Sequence, residues 1–170
     1  MAITILLAAA DGTGCALLSR MHGLCFPKGW KDHEFAAMLA MPGAFAFLAA
    51  NTDGSAPEPM GFVLARAAID ERLGEAADKL GGECEIITIG VIPDCRGRGI
   101  GARLVDAVAV KAKALGAEDL LLEVAENNQA AMVTYLARGF TAVGRRKNYY
   151  ANPAGGTIDA IVMHRNLSSG

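Results

Sequence analysis

The feature that most limits what this chain can fold into is a β-branched run, a glycine-rich turn and a helical run in direct succession. Glu85–Val91 (EIITIGV) has the composition of a strand, Ile92–Cys95 (IPDC) interrupts it, Arg96–Gly101 reads RGRGIG, and Ala102–Lys113 spaces its apolar residues with a helical period. A glycine turn that opens a helix after a strand aims unpaired backbone N–H groups, and the positive end of the helix dipole, at one point. That point suits an anion. Gly97, Gly99 and Gly101 lack a Cβ, so a phosphate can approach the main chain, while Arg96 and Arg98 offer charge-assisted contacts. The plainer reading of the same residues is a surface turn with no ligand.

Three phosphate patterns compete for the stretch. A P-loop needs Lys followed by Ser or Thr after its glycines, and no such pair follows. A dinucleotide fingerprint is matched by Gly97, Gly99 and Ala102, with Glu123 at the distance of a ribose-binding acid; against it, a Pro-containing segment separates strand from glycine, and little chain follows Glu123 for further strands. The third pattern, R-x-x-G-x-G, is matched by Arg96, Gly99 and Gly101. It resembles the acetyl-CoA signature of the GNAT N-acetyltransferases, in which glycine amides hold the CoA pyrophosphate and the preceding strand's backbone holds the pantetheine arm. Gly90 fits this physically, because a glycine inside a β-branched strand marks a bulge or a close backbone approach, read here as approach by a ligand.

A chain of 170 residues that is 52% hydrophobic and 20% charged suits one domain, residues 1–170, with a sizeable core. The net charge of −2 gives no general attraction to nucleic acid and is compatible with a cationic peptide or amine. Cys15, Cys25, Cys84 and Cys95 have no C-x-x-C spacing, and with His22, His33 and His164 they form no zinc-like cluster, so reduced packing thiols in a cytoplasmic protein are expected and no metal. Met1–Ala10 is apolar but short and lacks a positive leader; it is read as the first strand, not a membrane span or a signal.

Helices are expected over Ala16–Gly23 and, capped by Asp32, to about Ala40, followed by a strand at Ala44–Ala50 and its hairpin partner at Gly61–Ala65. Between Ile69 and Gly82, Leu73, Ala77 and Leu80 have helical spacing, with Gly81–Gly82 as a stop. The helix after the glycine turn buries Ile100, Leu104, Val108 and Leu115 and ends at Gly116. Asp119–Ala125 reads as a parallel strand, Asn127 or Asn128 caps a helix through Tyr135 to Arg138, and Thr141–Tyr150 with Ile158–Asn166 forms a last hairpin. Strand, helix and strand in under fifty residues make a crossover unit, so those two strands lie in one sheet.

Glu123 is a lone acid in LLLEV. Partial burial would make it a useful base, and an ordinary salt bridge is the structural alternative. Tyr135 can donate a proton to a departing thiolate, or simply pack. Leu122–Val124, Asn128, Ala130–Ala131, Tyr135 and Gly139–Phe140, continuing through Arg146–Tyr150 and Asp159–Met163, resemble the pattern of the bacterial ribosomal-protein-alanine N-acetyltransferases, the RimI family within GNAT. The resemblance implies an α/β (α+β) GNAT fold: a single mixed, mostly antiparallel sheet of about seven strands with helices on both faces and a central parallel pair. It implies Glu123 as general base, Tyr135 as general acid and Asn128 as a CoA contact. Ile89, Gly90, Val91, Arg96, Gly97, Arg98, Gly99, Ile100, Gly101 and Ala102 would then hold acetyl-CoA, with no metal required. Its acceptor would be the N-terminal alanine of a ribosomal protein. Trp30, Tyr149 and Tyr150 would flank that acceptor, although packing is an equal reading of all three. Acidic Asp32, Glu34, Glu126 and Asp159 could complement a basic peptide. Phe26–Trp30 (FPKGW) departs from the family's F-P-W-S, and the 70–82 segment is longer than usual. A GNAT enzyme acting on a lysine or small amine, and a non-catalytic acyl-CoA-binding module, are the competing readings.

Overall fold

The computed structural model describes residues 2–69 and 80–168. Seven strands form one sheet in the order β1-β2-β3-β4-β5-β7-β6: β1 Ile3–Leu7, β2 Ala44–Asn51, β3 Glu58–Ile69, β4 Leu80–Val91, β5 Ala117–Ala125, β6 Thr141–Ala151 and β7 Thr157–Asn166. Among the described residues only β4 and β5 run parallel; every other neighbouring pair is antiparallel. Among the described residues four α-helices accompany them: α1 Gly12–Cys25, α2 Asp32–Leu39, α3 Ile100–Ala114 and α4 Gln129–Ala137. The expected mixed, mostly antiparallel sheet with a central parallel pair is what the chain forms.

Alternation along β3 divides the core. Val63, Ala65 and Ala67 pack with α3 residues Ile100, Leu104, Val105 and Val108 and with Leu120, Leu122 and Phe140, while Phe62 and Leu64 pack with Leu18, Met21 and Phe35 of α1 and α2. Helices therefore cover both faces. Asp11 caps α1 by accepting the Gly14 N–H (2.8 Å), and Asn128 caps α4 by accepting the Ala131 N–H (3.2 Å). At α2 the cap lies one residue earlier than Asp32. Lys31 is the N-cap, and its N–H donates to Glu34 Oε2 at 2.8 Å, which satisfies an end donor through the third helical residue.

The helix expected between Ile69 and Gly82 falls at 70–79 outside the described residues, and its end is corrected: Leu80 already belongs to β4. Gly82, with φ +61, sits inside that strand and stops no helix.

Two irregularities shape the middle of the sheet. Leu64 pairs with Thr88 and Ala65 with Ile86, so Ile87 is an extra residue that bulges β4. Pairing of β4 with β5 runs only to Ile86 opposite Leu122, whereas β5 stays paired with β7 as far as Ala125. Beyond Ile86 the two parallel strands part, and the sheet opens into a wedge between the end of β4 and the end of β5.

Candidate active site

A cleft of about 560 Å³ lies at this wedge, walled by the end of β4, the glycine turn, the end of α1 and α4. The turn begins as a single 3-10 turn, Pro93–Cys95, after which Gly97 and Gly99 adopt φ +73 and +72. Those left-handed angles are open to glycine at little cost, and a Cβ on either residue would meet nothing within 4 Å, so the turn presents bare backbone to open space. Gly99 is the N-cap of α3 and supplies no side chain to it; the first helical bond is Arg103 N–H to Gly99 O at 3.1 Å. The N–H groups of Ile100, Gly101 and Ala102 thus stand outside the helical ladder. No acid occupies the first turn of α3, and Lys111 and Lys113 lie in its last, so the positive N-terminal end is not neutralised from within the helix. Arg96 Nε donates to Val91 O (3.1 Å), tying the turn to the strand end.

Of the residues singled out from sequence, Ile89, Gly90, Val91, Arg96, Gly97, Gly99, Ile100, Gly101, Ala102, Asn128 and Tyr135 line this one cleft. Arg98 does not; its Nη2 donates to Asp94 O at 3.1 Å. Tyr135 is 6% exposed and packs near Phe140, and burial first, then Tyr150, pushes its phenol up to about 12, which keeps it protonated at neutral pH. Asn128 spends its side-chain oxygen on the α4 cap. Gly90 has a packing reason: a Cβ there would lie 2.7 Å from Phe62 Cε1 and 3.0 Å from Cys25 Sγ. The close neighbours of Gly90 are therefore side chains of its own core. Cys25, Phe26, Ala130, Ala131 and Thr134 also line the cleft; the i, i+4 pairs Ala130–Thr134 and Ala131–Tyr135 were the available sequence signal for the last three.

Glu123 lies elsewhere, in a second groove of about 350 Å³ lined by Arg66, Ala68, Glu83, Glu85, Leu121, Leu122, Glu123, Arg146 and Val162. Arg66, Glu85, Leu121, Glu123 and Val162 alternate with core residues packed under α3, so the groove is on the sheet's other face, beside α1 and α2. The salt bridge weighed as the alternative for Glu123 is present: Arg146 Nε stands 2.7 Å from Glu123 Oε1. Tyr149 joins them, its phenol raised first by a hydrogen bond to Glu123 and then by that carboxylate's charge, and its ring lying 5.5 Å from the Arg146 guanidinium carbon. Tyr150 meets Tyr149 edge to face at 5.0 Å, and burial followed by the Glu123 charge raises its phenol.

Consecutive strand residues normally point to opposite faces, yet both tyrosines sense Glu123. The cause is a bulge: Arg146 pairs with Ala160 and Tyr150 with Ile158, leaving three β6 residues opposite Asp159. Asn148 takes φ +55 there, its N–H donating to Asp159 Oδ1 (2.9 Å), and Asp159 also accepts from Arg145 Nη1 (2.9 Å). Those bonds, the Asn148 one first, hold the Asp159 carboxyl below its usual range.

Trp30 lines neither cavity. It stacks on His22 (centroids 4.9 Å) and tilts against Phe35 (5.4 Å), and its backbone N–H donates to His22 Nδ1 at 3.2 Å. Burial lowers the His22 pKa, which favours the neutral ring that accepts this bond. Of the acids expected to attract a basic peptide, Glu34 caps α2, and Glu126 and Asp159 pair with Arg145. The groove instead carries Glu83 and Glu85, which composition did not single out. Among the described residues no group of three His, Cys, Asp or Glu is placed to hold a metal, and no helix is long and apolar enough to cross a membrane.

A profile described as the acetyltransferase (GNAT) family matches residues 16–140. The chain is 38% identical over 81 residues to the [ribosomal protein bS18]-alanine N-acetyltransferase of Haemophilus influenzae, covering 48% of this chain and 55% of that one. It thus spans about half the length of the curated relatives it matches. Among solved structures, the ribosomal-protein-S18-alanine N-acetyltransferase of Escherichia coli superposes with a TM-score of 0.79 over 99% of this chain and 96% of that one at 23% identity. Arabidopsis thaliana NAA60 in complex with acetyl-CoA does so with a TM-score of 0.79 over 99% and 100%, at 22% identity.

Proposed function

The chain belongs to the acetyltransferase (GNAT) family, and from that premise we propose that it transfers an acetyl group from acetyl-CoA to the N-terminal α-amine of a ribosomal protein, with alanine as the acceptor residue. Residues 1–170 act in this reading as one domain, in the cytoplasm. The observation that carries it is the wedge: parting of β4 from β5 after Ile86 sets the cleft with the glycine turn and Tyr135 against a groove that holds Glu123. Similarity to the bS18-alanine N-acetyltransferase of Haemophilus influenzae supports the choice of acceptor.

The cleft fits a CoA-type ligand on its own features. Bare backbone at Gly97 and Gly99 and the three N–H groups that open α3 suit a pyrophosphate, and Arg96 adds charge beside them. The β4 backbone from Ile89 to Val91, which has left β5, suits an amide-bearing arm running alongside it. Bound acetyl-CoA supplies a thioester, an acyl group activated toward amines. Glu123 removes the amine proton; an α-ammonium, with a pKa of about 7.7–8 against about 10.4 for lysine, asks little of that base. Tyr135, protonated and buried, gives its proton to the sulfur as it leaves. Tyr149, hydrogen-bonded to Glu123, and Tyr150 against it stand beside the carboxylate that receives the acceptor, and Trp30 packs between His22 of α1 and Phe35 of α2.

The test is acetyl-CoA with two peptides, one with a free N-terminal alanine and one blocked there but carrying internal lysines, and location of the acetyl group by mass spectrometry. Transfer to the free alanine is expected. Transfer confined to the blocked peptide would turn the reading toward lysine, and no transfer to any amine would leave a binding module.

A further inference from the structure

We propose that Arg146 is an internal stand-in for the acceptor's ammonium, seated on Glu123 until an incoming amine displaces it. The inference rests on the reading of Glu123 as the group that receives the acceptor amine.

A carboxylate takes a proton directly from a group within about 2.6–3.2 Å, or through one bridging water. Arg146 Nε occupies that reach, at 2.7 Å from Glu123 Oε1. The two partners are unequal. Glu123 is fixed on a central strand with its side chain 14% exposed, whereas Arg146 comes from the edge strand β6 on a long side chain that is 59% exposed. The arginine is the member free to leave.

Three observations make the contact an exchangeable one. Arg146 is not needed to build the hairpin, because Arg145 does that through Glu126 (2.8 Å) and Asp159 (2.9 Å). Its guanidinium also lies over the ring of Tyr149, whose phenol hydrogen-bonds Glu123, so the arginine has a second contact beside that carboxylate. Glu83 and Glu85 line the same groove, and among the described residues neither is in an ion pair, so a released guanidinium has a second carboxylate close by. Acceptor binding becomes an exchange of one cation for another on Glu123. Such a site selects for a charged terminal amine, since a neutral blocked terminus has nothing with which to replace the guanidinium.

The experiment compares the full chain with Arg146→Met, which keeps the stem over Tyr149 and removes the charge. Calorimetry measures binding of an alanine-initiated peptide with a free N-terminus and of the same peptide N-acetylated. Arg146→Met is expected to bind the free peptide about two- to fivefold more tightly, the span a partly exposed ion pair supports, with no change for the acetylated one. Arg146→Lys retains a competing cation and keeps the parent affinity. Where transfer is measured, KM for the acceptor falls by the same factor in Arg146→Met. Equal or weaker binding of the free peptide, an equal gain for both peptides, or no binding of the free peptide to either protein overturns the proposal. Arg146→Gln repeats the measurement if circular dichroism shows the methionine variant misfolded. Failure of the transfer reading shows separately, as tight binding of the free peptide with no acetylated product.

Discussion

Replacing Gly90 with alanine separates a packing role for this residue from a ligand-approach role. The added Cβ would sit 2.7 Å from Phe62 Cε1, closer than such atoms come without something shifting. Phe62 has little room to yield: it is fully buried, with His22 at 5.7 Å and Phe35 at 6.3 Å between ring centroids. Cys25 Sγ, at 3.0 Å, is the softer neighbour, being only partly buried. Overpacking of this kind destabilises by about 1–3 kcal/mol, while removing a glycine from a strand interior returns about 0.5–1 kcal/mol. The net expectation is a loss of about 1–2 kcal/mol, read as a fall in the urea midpoint at unchanged slope. Phe62→Leu should recover part of it, with a coupling of about 1 kcal/mol in the double-mutant cycle. Affinity of the folded variant for acetyl-CoA should change little. If stability is unchanged and acetyl-CoA affinity collapses, Gly90 is there for the ligand and the packing argument is wrong.

Gly99→Glu places a negative side chain on a left-handed residue facing open cleft, so acetyl-CoA affinity by calorimetry should fall more than tenfold in protein that still folds; retained affinity would remove the turn from the binding site. Tyr135→Phe keeps the ring against Phe140 and removes only the phenol, so kcat should drop by about 10²–10⁴-fold with acetyl-CoA affinity nearly intact, and Glu123→Gln should do the same; parent rates in both would send the search for a base to Glu85. His22 is harder to protonate in its aromatic pocket than in the unfolded chain, so its contribution to stability is complete above the ordinary histidine pKa near 6.5. That contribution is lost as pH falls below that value toward the lowered folded pKa. His22→Gln should flatten that limb of midpoint against pH; a limb unchanged by the substitution would assign it to other groups.

Local chemistry made most of this fold legible. The strand, glycine turn and helix around Gly99 announce themselves because each residue there agrees with its neighbours about backbone angle, and Asn128, Gly116 and Asp11 mark helix ends through bonds made within a few residues. What stayed hidden depends on partners far along the chain. Nothing near Glu123 says that Arg146, on a strand two positions away in the sheet, will sit on it. The start of β4 is set by pairing of Leu80 with Ile69 and of Gly82 with Ala117 across the sheet, against a helical spacing that local pattern favoured. Acidity offered a similar lesson. Asp159 and Glu126 look like surface charge in sequence and turn out to be bound to Arg145, while Glu83 and Glu85 become groove residues only because β4 alternates.

The parting of β4 and β5 has a kinetic corollary. The cleft at Tyr135 and the groove at Glu123 share no lining residue, so under the proposed assignment donor and acceptor occupy separate pockets. Neither molecule needs to depart before the other arrives, and no side chain is required to carry the acyl group between them. Double-reciprocal plots at several fixed donor concentrations should therefore intersect, and parallel lines would mean that the acyl group pauses on the protein.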